Sequence, residues 1–216
     1  MYLARLRLNK TRIAIGWVAR PYRVHQRLSM AYEDDPRMLF RIEDALAEPL
    51  SLSGIQIIVQ SQHAPDWEDA FADFPVLLSP PESKPFSPTF SPGQVLAFRL
   101  RANPTIKLCH GDFEDHAKET NKRMGLYKEE GQVKWLQRKA AAGGFEVLRV
   151  QLRQEGLIKD TIHREGEERH ALKLLAVTFD GLLRVTDAPR FTETLCAGIG
   201  SGKSFGFGLL SLARPQ

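Results

Sequence analysis

The sequence predicts an α+β protein built from two tandem ferredoxin-like (βαββαβ) units joined by a proline-rich linker. Three observations lead there. The order strand, helix, strand, strand, helix, strand can be read twice along the 216 residues. Pro80, Pro81, Pro85, Pro88 and Pro92 gather between the two readings and mark a stiff connector. A hydrophobic content of 43% supports a real core, and the length suits one large domain or two small ones. The expected division is residues 1–79, a linker over 80–93, and a second unit over 94–216. One larger α+β domain is the plainer alternative, because the repeat is one of element order and not of sequence identity.

Tyr2 to Leu8 opens the first unit as a strand, since Leu6 and Leu8 alternate strictly with Arg5 and Arg7. A helix follows over Tyr22 to Tyr32, begun by Pro21 in its first turn. Strands are expected at Met38 to Ile42 and Ile55 to Gln60, a short helix at Trp67 to Ala72, and a closing strand at Val76 to Ser79. In the second unit Val95 to Arg101 alternates as a strand. Val133 to Ala142 is a helix that Gly143-Gly144 stops. Phe145 to Leu152 and Leu172 to Phe179 are strands joined by a long basic hairpin region. Asp187-Ala188-Pro189 caps a helix running to Ala197, and Phe207 to Leu212 is the final strand.

The two cysteines, Cys109 and Cys196, form no disulfide framework and point to a reducing, cytoplasmic setting. No stretch has the ~18 apolar residues of a membrane span. Net charge is only +4, yet residues 1–30 carry seven cations and no acid, whereas 31–79 carry ten acids. Such asymmetry suits one face that meets a polyanion. An acid-free, arginine-rich start also fits a transit peptide, but the strand pattern from Tyr2 favours a folded start.

Glycine is concentrated in GIGSGKSFGFGLL, from Gly198 to Leu210. Backbone of this kind can turn N–H groups toward a phosphate. Ala197 to Ser204 differs in one residue type from a nucleotide-binding P-loop. The element order argues against that, because here a helix enters the loop and a strand leaves it. No nucleotide cofactor is expected. A loop that leans on an RNA backbone and a plain flexible turn both remain, with Gly200, Gly202, Lys203 and Ser204 as its candidate contacts.

Tyr22 and His25 lie three residues apart on one helical face, inside the acid-free segment with Arg23 and Arg27. An imidazole can shuttle protons near neutral pH, and nearby cations can stabilise a phosphorane. A structural histidine is the bland alternative. Arg149, Arg153, Lys159 and Arg164 lie in the mixed-charge hairpin. Alternation along strands could segregate them from the acids and present them to an RNA duplex, or the ribbon could simply be solvated. Cys109, His110, Asp112, Glu114, Asp115 and His116 match no metal-binding spacing and read as a solvated loop, so no metal is expected.

The chain resembles the CasE family, the repeat-processing endoribonuclease of the type I-E CRISPR Cascade complex. The resemblance rests on Met1-Tyr2-Leu3, Pro21-Tyr22-Arg23-Val24-His25, and Phe98-Arg99-Leu100-Arg101-Ala102-Asn103-Pro104. It continues through Lys122-Arg123, Trp135-Leu136 and the glycine loop running into Gly206-Phe207-Gly208-Leu209-Leu210. It implies metal-independent cleavage of CRISPR precursor RNA at the 3′ base of a repeat stem-loop, by 2′-hydroxyl attack. The products would carry a 2′,3′-cyclic phosphate and a 5′-hydroxyl. By this resemblance His25 is catalytic, Tyr22 assists, the hairpin cations grip the stem, and the glycine loop supports the bound strand. The partners it implies are the repeat RNA and other Cascade subunits. Some relatives place a lysine about a turn after the histidine. Met30 stands there in this chain, and Arg27, Arg23 or a hairpin cation would replace it. A non-catalytic RNA-binding subunit is the other reading.

Overall fold

Alternation from Tyr2 to Leu8 turns Ala4, Leu6 and Leu8 inward and Arg5 and Arg7 outward, and these residues form β1 (Tyr2–Leu8). The protein is described by a computed structural model that covers residues 1–33, 37–43, 54–107, 123–162 and 170–215. Next comes α1 (Arg12–Val18), capped by Thr11, whose side chain accepts from the Ala14 amide. After it come α2 (Pro21–Ser29), β2 (Leu39–Glu43), β3 (Ile55–Ser61), α3 (Trp67–Phe71) and β4 (Glu82–Pro85). The four strands form an antiparallel sheet in the order β2-β3-β1-β4, the ferredoxin-like arrangement. Leu28 and Val24 of α2 pack with Leu6, Leu8, Phe40 and Ile57 in its core.

The closing strand of this unit is not where the sequence placed it. At Val76 to Ser79 only an isolated bridge forms, between Leu77 and Leu8. The strand is Glu82–Pro85, inside the stretch expected to be linker. An edge strand bonds on one side only, so it tolerates Pro85 and exposed polar residues. Glu82 stands opposite Arg5 and pairs with it at 2.6 Å and with Arg7 at 3.2 Å. Their guanidinium groups, Arg5 above all, hold the Glu82 carboxyl below its usual range. The sheet of β1, β2 and β3 therefore takes its edge strand from Glu82–Pro85.

The second unit contains β5 (Val95–Ala102), the short hairpin β6 (Thr105–Lys107) and β7 (Arg123–Gly125), and α4 (Glu129–Ala142). It continues with β8 (Phe145–Ile162), β9 (His170–Val185), α5 (Ala188–Ala197) and β10 (Leu210–Ala213). Its sheet order, β10-β5-β9-β8, repeats the circuit of the first unit. The β8–β9 ladder runs far beyond the expected strands, to Ile162 opposite His170. Register shifts between Val147 and Arg149 and between Gln154 and Gly156 re-aim its side chains.

The two units are clasped together. Arg41 of β2 is only 4% exposed. It donates to the Leu209 carbonyl at 3.2 Å and to Ser211 Oγ at 2.9 Å, and it pairs with Glu43. Glu43 also reaches Arg99 of β5 at 3.4 Å, and Arg99 binds Asp180 of β9 at 2.7 Å. The Gln60 amide of β3 donates to the Leu195 carbonyl of α5 at 2.8 Å. Replacing Arg41 by alanine removes its hydrogen bonds to the Leu209 carbonyl and Ser211 and leaves Glu43 with the longer contact to Arg99. We expect Arg41→Ala to lower unfolding free energy by about 3 kcal/mol. Chemical denaturation measures it, and an unchanged midpoint would show that other contacts alone hold the units.

Candidate active site

Helix α2 starts without a side-chain cap, because Arg20 offers none and no acid lies in the first turn. Pro21 has no N–H to satisfy. The next amide, that of Tyr22, donates to Asp160 Oδ2 of β8 at 3.0 Å. A carboxylate from the second unit thus serves the N-terminal end of a helix in the first, where the helix dipole favours negative charge.

Tyr22 and His25 come together as the spacing requires, with ring centroids 6.2 Å apart. The Tyr22 ring stacks on Phe205 at 5.6 Å, from the short 3-10 turn Lys203–Phe205 in the glycine loop. The His25 ring lies nearly parallel to Phe40 of β2 at 6.3 Å. Its Nδ1 is sealed from solvent. Phe40 in turn backs onto Gly206, where a Cβ would fall 3.1 Å from its ring. Gly206 has φ of +78°, so glycine is required there on both counts. The pair therefore sits at the seam between the units, walled by α2 and β2 on one side and the glycine loop on the other. Ala176, Phe205 and Phe207 form a small buried cluster beneath it, with Ile158, Leu172 and Leu174 packed alongside.

The glycine loop is not a P-loop. Helix α5 leads into it and β10 leads out. Lys203 Nζ donates to the carbonyl of Ala197, the last residue of α5, at 2.5 Å. Arg101 packs over the Phe207 ring at 4.9 Å, and its carbonyl accepts from the Gly208 amide at 2.8 Å. Gly200 abuts Trp135 of α4, where a Cβ would fall only 3.0 Å from the indole ring. Gly202 and Ser204 are half-buried in the same loop.

The expected cations divide. Arg23 is exposed on α2, and Arg149, Arg153 and Lys159 are exposed on β8. Arg149 and Arg153 alternate on one face of β8, beyond the first register shift. Ile158 and Asp160 turn toward α2, so Lys159 between them turns away. Arg164 and the Cys109–His116 cluster lie outside the described residues. Arg27 is differently employed. Its guanidinium donates to Asp73 at 2.7 Å and to the Ala70 carbonyl at 3.0 Å, and lies over the Phe74 ring at 4.9 Å. It braces α2 against α3 and points away from Tyr22 and His25. Met30 is half-exposed and offers no charge.

Three members of the site were not picked out from sequence: Phe40, Phe205 and Asp160. Phe205 belongs to the KSFGF run, which singles it out only once the loop is seen to fold onto α2. The acid-free first turn of α2 signals that an acid must come from elsewhere, but not which one.

Fold and seam together define a double ferredoxin-like protein with a phenol–imidazole pair held between its units. The family model described as "CRISPR associated protein" matches residues 1–214, and the chain belongs to that family. It is 36% identical to the CRISPR-associated endoribonuclease Cse3 of Thermus thermophilus, over 99% of this chain and all of that one. It is 31% identical to the CRISPR system Cascade subunit CasE of Escherichia coli, over 95% and 98% of the two chains. Among solved structures, Cse3 bound to a 19-nucleotide RNA superposes with a TM-score of 0.81 at 36% identity, covering 99% and 100% of the two chains. No helix among the described residues is long and apolar enough to cross a membrane.

Proposed function

We propose that this protein is an endoribonuclease that cuts CRISPR precursor RNA at the 3′ base of the repeat stem-loop and keeps the hairpin product within Cascade. The observation that carries the reading is the Tyr22–His25 pair at the seam, next to a strand that presents Arg149, Arg153 and Lys159 outward. The cations of β8 take phosphates of the stem, where shape and backbone contacts dominate. The unpaired strand leaves the stem toward α2.

In the cleavage step the 2′-oxygen bonds to phosphorus and the bond from phosphorus to the 5′-oxygen breaks. The 2′-hydroxyl loses its proton and the departing 5′-oxygen gains one. His25 moves a proton in this exchange, and Tyr22 positions the phosphate or completes the proton path. The nucleophile belongs to the substrate, so the reaction needs no metal to activate water. The pentacoordinate phosphorane gains negative charge, and Arg23 is the exposed cation on the same helix.

The direct test is incubation of a repeat hairpin RNA in EDTA. A product ending in a 2′,3′-cyclic phosphate supports the mechanism. Intact RNA that still binds would favour a non-catalytic RNA-binding subunit. Asp160 offers a second test, since its carboxylate fixes the start of α2. Asp160→Ala is expected to slow single-turnover cleavage about tenfold while hairpin affinity stays within about threefold, because the loss of one charged hydrogen bond is worth about 1.4 kcal/mol. Asp160→Asn keeps an acceptor oxygen and should recover most of the rate. Equal losses in both variants would remove the positioning role.

A further inference from the structure

We infer that Arg37, Lys139 and Lys203 together form a phosphate site that takes one backbone phosphate of the unpaired RNA strand beside the repeat stem. The identity of the ligand rests on the ribonuclease reading; the geometry of the site does not.

The three cations come from three different elements and bracket one short stretch of chain. Arg37, exposed, stands two residues before Leu39, with Met38 between them turned into the core of the first unit. Leu39 fills the space at Gly198, where a Cβ would lie 2.7 Å from its methyls. Lys139 follows Trp135 by one turn of α4 and shares its face. The Trp135 ring covers Gly200. Lys203 folds back across the same loop, with Nζ on the Ala197 carbonyl. Residues 197–203 are thus approached from the first unit, from α4 and from the loop itself.

None of the three forms an ion pair among the described residues. Burial, and then the fields of Arg37 and Lys139, pull the Lys203 ammonium below its usual pKa, with no carboxylate among the described residues acting in the other direction. Three like charges held together repel one another, and an anion placed among them reverses the sign of that interaction. A phosphodiester suits the set, because arginine can engage two of its oxygens and each lysine supplies a point charge. Lys203 lies two residues from Phe205, the ring stacked on Tyr22. A phosphate held here therefore belongs to a nucleotide near the one that is cut. The attacking 2′-oxygen must align with the departing 5′-oxygen, which a regular stacked helix does not permit, so that nucleotide lies in an opened strand.

The test compares two RNAs, the repeat hairpin with unpaired flanks and the same hairpin with blunt ends. Affinities are measured across a salt series for the wild type, Arg37→Gln, Lys139→Gln and the double variant. Melting curves check that each variant is folded. For the flanked RNA the double variant should flatten the slope of log affinity against log salt by about 0.7, since the site holds one phosphate and each single-strand phosphate contact contributes about that much. It should also weaken low-salt binding about tenfold. Binding of the blunt hairpin should stay within about twofold. An unchanged slope for the flanked RNA overturns the site, and an equal loss on the blunt hairpin moves the contact to the stem and overturns it too. Cleavage by the wild type is followed in the same samples. If cleavage is absent but the slope difference persists, the ribonuclease reading falls and the phosphate site stands. If cleavage occurs without the slope difference, the site falls and the reading stands.

Discussion

His25→Ala is expected to abolish cleavage while leaving hairpin binding within about tenfold. Losing a proton shuttle costs on the order of 10²–10⁴ in rate. The proposed binding surface is elsewhere, on Arg149, Arg153 and Lys159, which are exposed on β8. The His25 ring lies flat against Phe40 at the seam, so a second variant, His25→Gln, keeps side-chain bulk while removing the imidazole. Single-turnover kinetics with a repeat hairpin in EDTA decides the matter. Undiminished cleavage in both variants would remove His25 from the chemistry and leave it as a packing residue of α2.

Removing the 2′-hydroxyl at the cut nucleotide should stop the reaction outright, with RNA affinity unchanged. In the proposed mechanism the attacking oxygen is built into the substrate, and a neighbouring intramolecular nucleophile carries an effective concentration on the order of 10⁵ M or more. No group described at the site supplies a replacement at that level. A deoxy substrate that is still cut, giving a product without a cyclic phosphate, would mean that water is the nucleophile. The same experiment separates the roles of the two rings. Tyr22→Phe should retain the stack on Phe205 and lose only what the phenolic hydroxyl provides.

Much of the fold was legible because alternation is a local property. Tyr2–Leu8 is found where its pattern placed it, and the second unit repeats the strand circuit of the first. Helix α1 escaped notice because Ile13 and Ile15 are 60% and 51% exposed, so its apolar residues mark no single face. Strand β4 escaped because all four of its residues are exposed and prolines surround it. Tyr22 and His25 could be paired from their spacing alone. Phe205 and Asp160 could not, since each reaches α2 from a distant part of the chain. The direction of Arg27 was likewise decided by α3 and its flank, where Asp73 and Phe74 hold it. Sequence shows which side chains are present on a helix; only the packed neighbours show which way a long cation leans.

The wall of the site has a consequence for synthesis. Tyr22 and His25 leave the ribosome early, while Phe205 and Gly206, which back the Tyr22 and Phe40 rings, emerge much later. At roughly 5–20 residues per second, on the order of ten to forty seconds separate the two. During that interval the Tyr22–His25 pair is born without its back wall or the Asp160 contact. A nascent ribonuclease beside its own messenger is thereby kept incomplete until translation has passed the glycine loop.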